Sequence, residues 1–171
     1  MNYNTEFYKA IKAINIKDLT AEDKEELLNV FASTNNHAVR NHLALVFSDL
    51  HYNEAIPSMI KKTGEQKLYN RNGTIVFALG EMETQKYFMN FIKVICEQAY
   101  EARTMAYSII KQYSSSISKR TRNRALKTLE VYRLKQGILS DDEYDNSTLH
   151  FIEATEKLLL NDNAQSTTPM S

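Results

Sequence analysis

The histidines are the first residues to test for chemistry, because imidazole is a common metal ligand and catalytic base. His37 and His42 are five positions apart, so on a helix they point about 140° apart and cannot hold the same metal ion. His51 and His150 have no Cys, Asp or His at the spacing of a metal site. We therefore interpret the histidines as surface or interface residues and predict no metal site.

The sequence context of the candidate nucleophiles and acids also indicates structural roles. Cys96 lies in the apolar stretch Val94-Ile95-Cys96, so core packing is expected. Ser114 and its two neighbouring serines are typical of a loop between helices. Asp49 and Glu81 could form a catalytic carboxylate pair, but a solvated rim is the favoured interpretation. We predict a protein that is not an enzyme and has no cofactor.

The distribution of charge is more informative, although the 171-residue chain has a net charge of zero. Residues 103–135 carry nine basic side chains and one acidic side chain, whereas residues 137–162 carry seven acidic and one basic. Either the acidic part folds back on the basic part, or the basic part binds an anionic partner such as nucleic-acid phosphate or an acidic protein. The candidate anion-binding residues are Lys119, Arg120, Arg122, Arg124 and Lys127. The chain has no Trp, and aromatic residues do not alternate with the basic ones along this run, which weakens the case for binding single strands.

The composition predicts a single helical domain over residues 1–160. Four Gly and two Pro are few for an all-β protein, which needs many tight turns. One cysteine, a polar N-terminus and the lack of a long apolar run predict a cytoplasmic location without a membrane span. The polar residues 161–171 are expected to be disordered.

Three segments of the chain, 37–50, 69–82 and 100–113, repeat one apolar pattern at a step of about 32 residues. Leu43, Ile75 and Ala106 occupy one position of the repeat. Phe47, Leu79 and Ile110 occupy another. The preceding helices repeat as well, since Ile56, Met59 and Ile60 recur as Phe88, Phe91 and Ile92. Stacked pairs of helices are therefore expected.

Several residues predict where the helices begin and end. Thr20 with Asp23 forms a capping box, Pro57 belongs in a first turn, and Gly64 ends a helix. Asn70 and Ser118 are predicted caps. A helix is expected over 119–135 with a stop at Gly137, a last helix over 148–160, and a first helix through Tyr3, Phe7 and Ile11.

The stretch Asn35-Asn36-His37-Ala38-Val39-Arg40 and the stretch from Glu54 to Ile60 resemble the HEAT repeat, in particular its short bacterial form. Glu101-Ala102-Arg103 resembles a second copy of the Val-Arg element, whereas the middle copy has Asn72 in place of the arginine. The resemblance covers residues 25–110. It implies an all-α, right-handed α-α superhelix of about three to four helix pairs that holds protein partners.

In solenoids of this family the second helix of each pair lines the concave side. On a helical wheel Asn41 and Leu45 point away from the apolar face, and Phe77 occupies the position of Leu45 in the next copy. The predicted partner-binding residues are Asn41, Leu45, Asp49, Phe77, Glu81, Tyr107 and Lys111. The alternative is that tight curvature or a terminal helix covers them.

The resulting hypothesis is a non-enzymatic scaffold or adaptor whose concave face binds another protein. A toxin-neutralising immunity protein is one version of it. The alternative is a nucleic-acid-binding protein related in fold to the HEAT-like glycosylases of alkylated bases, which would use residues 119–135. A third class, the lyase-type chaperones of bilin pigments, has similar repeats, but no residue here marks a bilin site.

Overall fold

The computed structural model describes residues 9–139 and 146–165, and the side chains of 9–135 and 147–161. All regular elements in these ranges are helical, which confirms the predicted all-α class. The chain divides into two compact units, Met1–Glu83 and Thr84–Ser171. Across the described parts of both units, every helix is too short or too polar to cross a membrane.

Besides the helical residues 9–12, the described part of the first unit contains four α-helices: α1 (Ala21–Ser33), α2 (His37–Asp49), α3 (Ile56–Thr63) and α4 (Gly73–Gly80). Short 3-10 turns lie before α1 at Ile16–Asp18, between α2 and α3 at Asn53–Ala55, and between α3 and α4 at Gln66–Arg71. The predicted capping box is present, because the Thr20 side chain accepts from the Asp23 amide and the Asp23 carboxylate accepts from the Thr20 amide. Of the predicted first helix, residues 9–12 are helical, whereas Tyr3 and Phe7 lie outside the described residues.

Two further predicted boundaries of the first unit are confirmed and one is wrong. Pro57 lies in the first turn of α3, and Gly64 caps its C-terminus. Asn70 was predicted to cap the next helix, but α4 begins only at Gly73, after a 3-10 turn. Asn72, the residue before α4, instead donates its side-chain amide to the Thr63 carbonyl at 3.2 Å.

The repeated apolar positions form the core of the first unit. Helix α2 packs against α1 and α4, and α3 packs against α1 and α4. Leu43 and Ile75 are fully buried, as are Phe47 and Leu79 at the next shared position. The edge of the Phe31 ring packs on Phe47, with ring centroids 5.7 Å apart. The inward face predicted from the repeat is therefore confirmed in this unit.

Hydrogen bonds at both ends show that α2 and α4 lie side by side in the same direction. Arg40, in the first turn of α2, donates to the carbonyl of Arg71, two residues before α4, at 2.6 Å. At the other end, the amide of Glu83, just after α4, donates to the side chain of Asn53, just after α2, at 3.3 Å. The N-terminal ends of α2 and α4 lie side by side, and so do their C-terminal ends, so the two helices are parallel.

The chain leaves α2 through a left-handed turn at His51, which has a φ of 47°. The His51 amide donates to the Ser48 carbonyl and the Tyr52 amide to the Phe47 carbonyl, both at 2.9 Å. This is the bonding pattern of the Schellman C-cap, in which glycine is the usual left-handed residue. Histidine tolerates this conformation, but its Cβ lies too close to the following carbonyl oxygen, which lowers the stability of the turn.

Replacing His51 with glycine should therefore raise the free energy of unfolding by about 0.5–1 kcal/mol, because glycine adopts the left-handed turn without strain. His51→Val should lower it, since a branched side chain is worse in this region. Urea unfolding followed by circular dichroism measures both. A His51→Gly variant less stable than the wild type would show that the imidazole contributes more than the strain costs.

The second unit contains α5 (Phe88–Glu97), α6 (Tyr100–Tyr113), α7 (Lys119–Leu139) and α8 (Asn146–Gln165). The Ser118 hydroxyl accepts from the Thr121 amide at 3.1 Å, which confirms Ser118 as a cap. The predicted stop at Gly137 is wrong, because α7 continues through it to Leu139. Helix α8 is longer than predicted, and the predicted disorder is wrong for residues 161–165, which are helical. Residues 166–171 lie outside the described residues.

The core of the second unit lies between α5, α6, α7 and α8: α5 packs against the other three helices, and α8 also packs against α6 and α7. The repeat positions are again buried, with Ala106 and Ile110 inaccessible to solvent. Cys96 is buried among them, as predicted. Other fully buried residues of this core include Phe88, Phe91, Ile92, Ile95, Ala125, Leu129, Ile152, Thr155 and Leu159.

Arg122 belongs to this core, and its predicted role in binding an external anion is wrong. Only 6% of Arg122 is exposed. Its guanidinium donates to the Leu159 carbonyl of α8 at 2.8 Å and to the Ser114 carbonyl at 2.7 Å. Arg122 therefore connects three elements of the second unit, namely α7, α8 and the loop after α6.

Replacing Arg122 with methionine should lower the free energy of unfolding by about 2–3 kcal/mol, because two buried carbonyls lose a charged donor. Arg124→Met is the matched control, since Arg124 lies on the same helix but is exposed, and it should change stability by less than about 0.5 kcal/mol. Chemical denaturation of both variants tests the difference. Equal stability of the two would contradict the assigned role of Arg122.

Candidate functional site

Five of the predicted partner-binding residues lie on the outward side of α2 and α4. Since these helices are parallel and bury matching positions, their outward positions lie on one side of the first unit. We call this surface the α2–α4 face and define it by Asn41, Leu45, Asp49, Phe77 and Glu81. Phe77, Asp49 and Glu81 are exposed, and Asn41 and Leu45 are partly exposed.

Phe77 is the prominent apolar residue of the α2–α4 face. Its exposed fraction is 48%, whereas Val76 and Ala78 beside it are fully buried. The partly exposed Leu45 occupies the same repeat position on the adjacent helix. Exposure of a large aromatic ring to water is unfavourable, and contiguous exposed apolar groups mark contact sites.

The two ends of the α2–α4 face differ in charge. Asp49 is the last residue of α2, and Glu81 follows α4 directly, so both carboxylates lie at C-terminal ends. At the N-terminal end, the Arg71 guanidinium contacts Nε2 of His37, the first residue of α2. Burial lowers the pKa of His37, and the charges of Arg71 and Arg40 lower it further, so the neutral imidazole is favoured.

The other two predicted partner-binding residues, Tyr107 and Lys111, belong to the second unit and differ in their exposure to solvent. Lys111 is exposed. Tyr107 is partly covered by α8, because the Phe151 ring packs edge-on against it with centroids 6.2 Å apart. Tyr100 and His150 also contact Phe151, at centroid distances of 5.6 and 6.1 Å. The sequence left open the alternative that a terminal helix covers the predicted partner-binding residues. This alternative is correct for Tyr107.

The basic helix α7 presents its remaining candidates to solvent. Lys119, Arg120, Arg124 and Lys127 are exposed. Arg122 is the exception, and the sequence contained the signal: it lies three residues before Ala125 and seven before Leu129, on the buried face of the helix. The described part of the acidic C-terminal segment folds back on α7: helix α8 packs against it, and Arg133 Nε lies 3.4 Å from Glu156 Oε2. The acids of residues 141–145 lie outside the described residues.

The candidate nucleophiles occupy structural positions. Burial, the largest cause, raises the pKa of the Cys96 thiol to about 12, and the nearby Glu97 carboxylate contributes to the increase. The Ser114 hydroxyl donates to the Lys111 carbonyl at 3.1 Å, while the Ser114 carbonyl accepts from Arg122. Among the described residues, no group of three or more His, Cys, Asp and Glu side chains is arranged to hold a metal ion.

Sequence reasoning missed two features of the surface. One is the aromatic group around Phe151, which depends on how α8 packs on α6. The other is an open cleft of about 500 Å³ where α2 ends, lined by Lys24, Glu25, His51, Tyr52 and Glu54 among others. Burial raises the pKa of Tyr52, and the Glu54 and Glu25 carboxylates raise it further.

Comparisons of this chain with models of protein families, with curated proteins and with solved structures find no match.

Proposed function

We propose that this chain is a non-enzymatic, HEAT-like helical-repeat protein that binds another protein through the α2–α4 face. The observation that carries the proposal is the half-exposed Phe77 ring on a helix whose neighbouring residues are buried. A scaffold or adaptor needs a preformed contact surface, and two parallel helices packed side by side supply one.

The composition of the α2–α4 face fits a protein partner. Protein interfaces combine an apolar centre that excludes water with a polar, solvent-accessible rim. Phe77 and Leu45 supply the centre here, while Asn41, Asp49 and Glu81 supply polar groups around it. A buried aromatic anchor commonly contributes more binding free energy than the residues that surround it.

Replacing Phe77 with serine should weaken the complex by at least about 2 kcal/mol, or roughly 30-fold in Kd, because the partner loses its apolar anchor. The partner is captured from a native lysate with the wild-type chain and identified, and calorimetric titration then gives the Kd of each variant. Val131→Ser is the matched control, since Val131 is 43% exposed but lies on α7. It should bind normally.

Thermal unfolding separates this result from a folding defect. Phe77→Ser should keep the helical circular dichroism spectrum and a Tm close to that of the wild type, because the ring already contacts water. An unfolded Phe77→Ser variant would show that Phe77 is a core residue. A folded variant that binds as tightly as the wild type would eliminate the α2–α4 face.

Binding of nucleic acid through α7 is the second candidate function, and the placement of its charges favours it. Lys119 and Arg120 occupy the first turn of α7, where the positive end of the helix dipole makes cations unfavourable. With Arg124 and Lys127 they form an exposed group of four cations on one helix. Such a group neutralises phosphates and releases counterions, so binding would fall steeply with salt.

The double variant Arg120→Gln with Arg124→Gln should reduce the salt dependence of oligonucleotide binding by about two phosphate contacts. Fluorescence anisotropy with a labelled duplex, titrated between about 50 and 200 mM salt, measures the slope. Lys93→Gln with Lys157→Gln removes two exposed cations elsewhere in the second unit and is the control. If the wild type shows no salt-dependent binding, α7 is not a nucleic-acid site.

A further inference from the structure

We propose that the partner of the α2–α4 face is cationic: it places an apolar side chain against Phe77 and a Lys or Arg beside Asp49 and Glu81. This inference rests on the proposed function and specifies the chemistry of the partner. The observation behind it is the position of the two carboxylates relative to the parallel helices that carry them.

Asp49 and Glu81 lie at the same end of the face, because α2 and α4 run in the same direction. Both side chains are exposed, and neither forms an ion pair with a described side chain. A carboxylate at a helix C-terminus adds to the negative end of the dipole, which costs about 0.3–1 kcal/mol. Two such carboxylates, one on each of two adjacent helices, create a negative potential that an approaching cation relieves.

The cleft beside the C-terminal end of α2 is also lined by carboxylates. Its lining includes Leu50, the residue after Asp49, together with Glu25 and Glu54. Burial raises the pKa of Tyr52, and the Glu54 and Glu25 carboxylates raise it further. Lys24 is the one cation that lines the cleft within the described residues, so the two glutamates outnumber it.

The spacing on the face determines the spacing on the partner. Asp49 lies four residues after Leu45, and Glu81 lies four residues after Phe77. At 1.5 Å per residue, the apolar centre and each carboxylate are about 6 Å apart along the helix axis. A partner helix matches this separation with a basic residue three or four positions from its apolar anchor. Charge complementarity of this kind selects the partner and its orientation as well as increasing the association rate.

The test uses two synthetic helical peptides of equal length as probes. Each carries one leucine anchor, with lysine four positions away in one peptide and glutamate in the other. Titration into the isotopically labelled full chain, followed by amide NMR shifts, detects binding even at millimolar Kd. The lysine peptide should shift the amides of Leu45, Asp49, Phe77 and Glu81 and bind about tenfold more tightly than the glutamate peptide at low salt.

Three variants distinguish the possible outcomes. Asp49→Asn with Glu81→Gln should abolish the preference for the lysine peptide while the free protein becomes no less stable. Glu101→Gln with Glu130→Gln removes two exposed carboxylates of the second unit and should keep the preference. Phe77→Ser should abolish binding of both peptides.

Equal binding of the two peptides, lost in both cases with Phe77→Ser, would overturn the cationic partner and leave the proposed contact surface standing. A lysine preference that survives removal of Asp49 and Glu81 would also overturn it. Binding unaffected by Phe77→Ser would instead contradict the proposed function. If neither peptide shifts the amides of the α2–α4 face at millimolar concentration, the inference fails.

Discussion

Both units depend on a buried arginine whose guanidinium binds main-chain carbonyls. Arg40 and Arg122 are 2% and 6% exposed, and each donates to a carbonyl far away in sequence. The cost of burying a charge is offset here by hydrogen bonds from a cationic donor, which are stronger than those between neutral groups. Burial lowers the pKa of Arg40, but guanidinium starts so high that it stays charged.

The bond from Arg40 to the Arg71 carbonyl has consequences for the surface of the first unit. It fixes the beginning of α2 beside the segment that leads into α4, and the contact between Glu83 and Asn53 fixes the other end. Parallel alignment then brings Leu45 near Phe77 and Asp49 to the same end as Glu81. A polar bond in the interior thus organises an apolar and acidic surface outside. At the N-terminal end of that surface, burial lowers the pKa of His37, and the charges of Arg71 and Arg40 lower it further.

Arg122 acts in a comparable way in the second unit, with a different result. By binding Leu159 it holds α8 against α7, and α8 in turn brings Phe151 onto Tyr107 and Tyr100. Arg103 adds a second connection to α8, through its bond to the Ser147 hydroxyl at 3.0 Å. The same kind of interaction therefore supports an open helical face in one unit and a covered one in the other.

At each apolar position of the repeat, the sequence determined which residues are buried. Leu43, Phe47, Ile75 and Leu79 are buried as their spacing predicts, because a helix must turn its apolar side away from water whatever its partner is. The helix signals at Thr20, Pro57 and Gly64 are confirmed for a similar reason, since capping and the geometry of proline act within a few residues. Exposure of Phe77 followed from the same periodicity.

Tertiary packing decided the features that depend on residues distant in sequence. Tyr107 has the pattern of an exposed residue, but α8 packs across it. Arg122 looks like one more cation in a basic run, yet its position on the apolar side of α7 turns it toward Ser114 and Leu159. Helix α7 passes through Gly137, because a glycine inside a helix costs only about 1 kcal/mol and does not by itself end the helix. Periodicity along one helix shows which side faces inward, but only the packing of the other helices shows which outward residues remain exposed.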